Sequence, residues 1–176
     1  MINYENGKKL VTLGFALTLV IVISSVALSF LSAISNLSED FLPIINITNI
    51  AAFLSICITA GGYGIMWLCN RCRQDLATVL MFGLQVMLDF LIPVISYSGN
   101  TSWSIGSISW FGILLALAMR VKDKNRMLFL LLGCAGVFRW MLELMPNSSP
   151  NEFTILLIGI VNIVCAGLCF LTSRQN

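Results

Sequence analysis

The sequence predicts an all-α fold, a polytopic transmembrane bundle of six helices whose N- and C-termini are both cytoplasmic. Three observations support it: the composition, the spacing of the apolar runs, and the positions of the basic residues. The chain is 58% hydrophobic and 10% charged, with a mean hydropathy of +0.92, whereas a soluble domain is roughly one-quarter charged. Because six spans of about 20 residues leave only short connections in a chain of 176 residues, residues 1–176 are expected to form a single membrane domain.

The apolar runs are separated by short polar segments, which set the bounds of the predicted spans. The first run follows Lys8 and Lys9 and is too long for the core of a typical cleaved signal peptide. Pro43 lies near the start of the second run, where a helix tolerates proline. The predicted spans cover about residues 10–34, 42–69, 76–97, 103–121, 127–145 and 153–172.

Basic residues predict the orientation, because cytoplasmic loops retain lysine and arginine during insertion. With six spans, all the basic residues except Arg139 fall on one side: Lys8, Lys9, Arg71, Arg73, Arg120, Lys122, Lys124, Arg126 and Arg174. The opposite connections hold Glu39, Asp40 and Glu152 and no base. This asymmetry predicts cytoplasmic termini, and the short loops favour a bacterial inner membrane.

Several kinds of chemistry are excluded or disfavoured by the residue types. The chain has no histidine, which excludes His-ligated haem, most zinc hydrolase sites and nucleophiles activated by histidine. The net charge of +2 comes from scattered bases and does not form a patch for nucleic acid. We therefore expect no enzyme activity, no cofactor, no metal site and no nucleic-acid partner. Cys69 and Cys72 form a C-x-x-C next to two arginines, for which redox chemistry and ordinary membrane packing are both open interpretations.

Charged groups at membrane depth are the strongest candidates for a functional site. Asp89 in the third predicted span and Arg139 in the fifth lie at similar heights, and Glu143 is one turn beyond Arg139. Gln85 adds an amide one turn from Asp89, and Pro93 removes the donor that would bond the Asp89 carbonyl. The polar residues Asp89, Arg139, Glu143 and Gln85 are predicted to form one cluster between the third and fifth helices, and Pro93 is assigned to helix packing. The cluster is interpreted either as a pathway for a solute, ion or proton, or as a structural clamp.

Small residues at helical spacing predict close helix packing. Ala60 and Gly64 form such a pair in the second span, and Gly159, Asn162 and Ala166 line a small, polar stripe in the sixth. Stripes of this type serve contacts within one chain or between chains.

The predicted function is that of a small non-enzymatic membrane protein acting through helix contacts, as a membrane subunit, a sensor or an immunity or defence component. Its partners would be the lipid bilayer and either a second copy or another membrane protein. The alternative is a transporter for a small solute or ion, or the membrane-embedded substrate-binding subunit of one, with a small-molecule ligand at the Asp89, Arg139 and Glu143 site.

Overall fold

The computed structural model describes residues 3–35, 42–87, 102–144 and 152–175 and confirms the all-helical prediction for them. Six helices follow one another along the chain: α1 (Tyr4–Ser35), α2 (Leu42–Asn70), α3 (Arg73–Val86), α4 (Ser102–Val121), α5 (Arg126–Leu144) and α6 (Glu152–Gln175).

Three segments of these helices are long and apolar enough to cross a membrane: Tyr4–Leu28, Ile50–Asn70 and Leu156–Gln175. The apolar segment Phe111–Val121 of α4 is shorter. Large apolar side chains also cover the outer surface; Val20 is 61% exposed and Met127 is 72% exposed. A surface of this kind is rare in soluble monomers and is suited to contact with lipid.

Each helix packs against its neighbours in the chain, and α1 packs against α6, so the helices form a closed ring in which α4 also contacts α6. Consecutive helices run antiparallel. Asp75 at the start of α3 contacts Arg120 at the end of α4, and Asn125 before α5 donates to Gln175 at the end of α6 over 3.2 Å. The helix ends that carry the basic residues therefore lie together, at what we call the basic end of the bundle.

Two short turns join helices at the basic end. Arg71, between α2 and α3, has a left-handed backbone with φ of 51°, its amide donates to the Trp67 carbonyl over 2.7 Å, and its guanidinium lies over the Trp67 ring. A left-handed residue after a helix reverses the chain in little space. Between α4 and α5, the Asn125 side chain accepts a hydrogen bond from the Leu128 amide at 3.0 Å and caps α5.

The tight turn at Arg71 changes the predicted limits of one element. The sequence suggested a polar connection over residues 70–75, but α3 already begins at Arg73. Asp75 is consequently in the first turn of a helix and is buried. The predicted third span extends to residue 97, and its part beyond Met87 lies outside the described residues.

At Gly62 the backbones of α1 and α2 lie close together, with almost no side chain between them. A Cβ atom on Gly62 would lie 2.8 Å from both the Gly7 carbonyl oxygen and the Val11 amide nitrogen. Farther along, the Thr18 hydroxyl donates to the Ser55 hydroxyl over 3.1 Å. Without a hydrophobic force between helices in lipid, such close backbone contact and interhelical hydrogen bonding hold membrane helices together.

The small residues of α6 face the inside of the bundle. A Cβ on Gly159 would lie 3.0 Å from a Val26 methyl of α1, Ala166 is 2% exposed, and Asn162 is half-buried. This stripe therefore contributes to packing within the chain.

The small residues of α2 are arranged differently. Ala60 is half-buried and packs against the core, whereas a Cβ built on Gly64 or on the exposed Gly61 meets nothing within 4 Å. Gly62, between them, makes the close contact with α1. Pro93, the remaining predicted packing residue, lies outside the described residues.

Replacing Gly62 by alanine should destabilise the bundle by about 1–3 kcal/mol, since an added methyl collides with two backbone atoms that cannot move aside. The free energy of unfolding is measured by SDS titration in mixed micelles, followed by circular dichroism. Gly83→Ala is the matched control, because its Cβ meets nothing within 4 Å and alanine favours a helix by up to about 1 kcal/mol. Equal stability of the two variants would contradict the close contact at Gly62.

Candidate functional site: a buried ion pair at the basic end

A buried ion pair joins α3 to α4. The Arg120 guanidinium contacts an Asp75 carboxylate oxygen, and the two side chains are only 8% and 2% exposed, respectively. Asp75 is in the first turn of α3 and Arg120 in the last turn of α4. Each charge is thus near the helix end whose dipole stabilises it, which reduces the free energy that its burial costs.

An aromatic cluster surrounds the pair and extends it to two more helices. The Arg120 guanidinium lies over the ring of Tyr63 in α2, 5.1 Å from its centre. Tyr63 stacks on Phe82 of α3 at 6.1 Å and meets Phe15 of α1 edge-on at 6.3 Å. All three rings are buried. A guanidinium over an aromatic face gains most when water is excluded, so Arg120 contributes to the packing of α1, α2 and α3 as well as to the pair.

Two buried threonine hydroxyls in the same part of the core are satisfied by their own helices. Thr59 donates to the Ser55 carbonyl and Thr78 to the Gln74 carbonyl, both over 2.8 Å. Both threonines are fully buried. Donation to the preceding turn is how serine and threonine avoid an unpaired hydroxyl where water is scarce, so these groups add polarity without requiring a ligand.

The arrangement has a clear energetic consequence. A buried ion pair adds little to the free energy of unfolding compared with well-packed apolar residues. Removing one partner, however, leaves an uncompensated charge and lowers that free energy by about 3–5 kcal/mol. Asp75 and Arg120 therefore hold α3 and α4 in one register, and neither can leave the core alone. Chemically, the site is a clamp whose two charges neutralise each other.

The polar cluster predicted from the sequence is only partly within the described residues. Gln85 is in the last turn of α3 and fully buried. Arg139 of α5 is half-buried. Asp89 and the side chain of Glu143 lie outside the described residues. The cluster of these four polar residues stays a prediction.

Sequence reasoning missed the pair that the fold brings together. The pattern of bases predicts only that Arg120 lies on the cytoplasmic side, and the predicted spans leave Asp75 in the connection before residue 76. In the structure both side chains are buried. A signal was present: Asp75 is the only acidic residue between Asp40 and Asp89. It also lies in the first turn of a helix whose antiparallel neighbour has an arginine in its last turn, and opposite charges at adjoining helix ends indicate a contact.

The C-x-x-C motif spans the turn between α2 and α3. Cys69 is an exposed free thiol, and Cys72, also free, occupies the position before the first residue of α3. Within the described ranges, no group of three or more cysteine, aspartate and glutamate side chains is arranged to hold a metal ion. The four residues of the motif form the end of α2 and the turn into α3 at the basic end.

Neutralising either member of the pair alone should lower the free energy of unfolding by about 3–5 kcal/mol. The variants are Asp75→Asn and Arg120→Gln, measured by SDS titration in micelles. The double variant Asp75→Leu with Arg120→Met should recover most of the loss, because no charge remains unpaired.

Arg73→Gln is the control, since Arg73 is an exposed base at the same end of the bundle and its loss should change stability by less than about 0.5 kcal/mol. Single variants as stable as this control would show that the pair is not a clamp.

Comparison with protein-family models, with curated proteins and with solved structures found no match for this chain. What the chain does is therefore inferred from its own residues and their geometry.

Proposed function

We propose that the chain is a small, non-enzymatic integral membrane protein that works through helix contacts with a second copy of itself. It crosses the bilayer six times with both termini in the cytoplasm, and a bacterial inner membrane suits its short connections. The observation that carries the proposal is an outward-facing stripe of small residues on α2.

The distribution of charge supports the orientation. Nine of the ten bases belong to helix ends or turns at the basic end of the bundle. The positive-inside rule predicts that this end faces the cytoplasm. The N-terminus of α1 and the C-terminus of α6 belong to the same end.

The α2 outer face is a row of residues spaced alternately three and four apart: Ile47, Ile50, Leu54, Cys57, Gly61, Gly64 and Leu68. Ile47, Ile50, Leu54 and Leu68 are each at least 50% exposed, Cys57 is exposed, and the two glycines have open space where a Cβ would be. This spacing is that of a helix seam, and small residues at its centre allow two backbones to approach closely.

The two small-residue stripes of the chain differ in how they are used. A Cβ built on Gly159 of α6 would meet Val26 of α1 at 3.0 Å, whereas a Cβ built on Gly64 of α2 would meet no atom within 4 Å. The stripe on α2 is therefore available for a contact between chains.

A second copy is the partner that this face fits best. Two copies with the same orientation in the bilayer are related by a two-fold axis along the membrane normal, so each residue of this face meets its own counterpart. The small residues around Cys57 and Gly61 then lie against small residues. Because the α2 outer face fits a second copy of itself, the dimer requires no other protein.

The orientation is tested with reporter fusions that are active on only one side of the membrane. A fusion after Lys124 should fluoresce as a cytoplasmic green fluorescent protein and be inactive as alkaline phosphatase, because this loop carries the densest group of bases. Fusions after Ser98 and Ser148 should show the reverse. Any other pattern would contradict six spans with cytoplasmic ends.

The contact between copies is tested by oxidative cross-linking in membranes. A variant that keeps only Cys57, with the other five cysteines replaced by alanine, should form a disulfide-linked dimer. The matched control keeps only Cys134, which is equally a free exposed thiol but is on α5, and should remain a monomer.

Adding Gly64→Leu to the Cys57-only chain should weaken dimerisation by about tenfold or more, equivalent to about 1.4 kcal/mol, because a side chain at the seam separates the two backbones. Gly83→Leu, at another open and exposed glycine, should leave cross-linking unchanged. Equal cross-linking with both leucines would exclude the α2 outer face, and specific recovery of a different membrane protein would replace the second copy as partner.

A further inference from the structure

The outer side of α5 carries an open apolar groove of about 640 Å³. Its lining residues all belong to α5 and include Phe129, Gly133, Cys134, Phe138 and Met141. This volume is within the range of about 300–1,000 Å³ that small-ligand sites occupy.

The groove results from the residue sizes along one helix face. Gly133 has no side chain, and a Cβ built there meets nothing within 4 Å. Phe138 is 48% exposed and Met141 is 53% exposed, so large side chains stand beside the depression without filling it. The shape fits a narrow, flexible hydrocarbon chain.

The position of the groove matches one leaflet of a bilayer. From Phe129 to Met141 it extends over about 18 Å at 1.5 Å per residue, compared with about 15 Å for half of the hydrocarbon core. It begins within one turn of Arg126, at the basic end. A chain lying in it would have its polar headgroup beside the turn between α4 and α5.

That turn offers positive charge. Lys122, Lys124 and Arg126 are exposed, and among the described residues none of them forms an ion pair. Asp123 is the only acid in the segment from Arg120 to Arg126. Bases of this kind next to a membrane attract anionic lipids.

We propose that the turn and the groove together form a binding site for one anionic phospholipid. Lys124 and Arg126 bind the headgroup phosphate, and one acyl chain lies along Leu130, Gly133 and Val137. The proposal rests on the cytoplasmic, membrane-embedded placement proposed above, but it does not depend on the contact between copies through α2.

The test uses the full chain purified in a mild detergent and titrated with lipids in native mass spectrometry. Phosphatidylglycerol and phosphatidylcholine with the same acyl chains are compared, and inorganic phosphate is a separate arm. One phosphatidylglycerol should be retained more tightly than phosphatidylcholine by about thirtyfold, the effect of two bases near an anionic headgroup. Phosphate alone should neither bind detectably nor displace the lipid.

Two variants separate the two parts of the site. Lys124→Gln with Arg126→Gln should abolish the preference for phosphatidylglycerol, whereas Lys8→Gln with Lys9→Gln, at the same end but on α1, should keep it. Gly133→Phe fills the groove and should reduce retention of both lipids at least about tenfold. Gly83→Phe, at an exposed glycine on α3, should have no effect.

Equal retention of the two lipids, binding of phosphate alone, or unchanged binding in Gly133→Phe would each overturn the proposal. Cross-linking through Cys57 is measured on the same preparations. A dimer without lipid preference would refute the lipid site and leave the proposed function standing, whereas lipid preference without a dimer would do the opposite.

Discussion

The ion pair between Asp75 and Arg120 is the interaction on which the core of the bundle depends. A charge in an environment with little water requires a partner at contact distance, and here the two partners belong to adjacent helices. Because the Arg120 guanidinium also lies over Tyr63, which packs against Phe15 and Phe82, the position of one arginine couples α1, α2, α3 and α4. The register of these helices follows from satisfying one buried charge.

The other contacts of the bundle reflect two properties of the lipid environment. Lipid chains neither accept hydrogen bonds nor drive helices together by hydrophobic burial. Polar groups accordingly bond within their own helix, as Thr59 and Thr78 do, and helices associate where side chains are small, as at Gly62. The apolar side chains that a soluble protein would bury are instead exposed on the outside. An open glycine on that outer surface is consequently a place where another helix or a lipid chain can approach closely.

The sequence predicts the secondary structure better than it predicts the contacts between helices. The predicted second span, 42–69, corresponds to a helix over Leu42–Asn70, because a long apolar run bounded by polar residues leaves few alternatives. Asp75 was misassigned, since a left-handed backbone at Arg71 shortens the turn and arginine does not usually indicate that conformation. The polar residues predicted as a site share a depth and a helix face, and neither property says which neighbouring helix that face meets.

Residue composition and order are sufficient to predict that this chain is helical and apolar, and that its bases are grouped at alternate helix ends. Those properties depend on the type and order of the residues and not on which helices pack against one another. Which charges are buried and which small residues face outward depends on how the helices pack. Gly62 and Gly64 illustrate the reason: they are two residues apart on one helix, yet the first contacts α1 and the second faces open space. Their roles depend on the rotation of α2 about its axis, which is set by the helices packed against it.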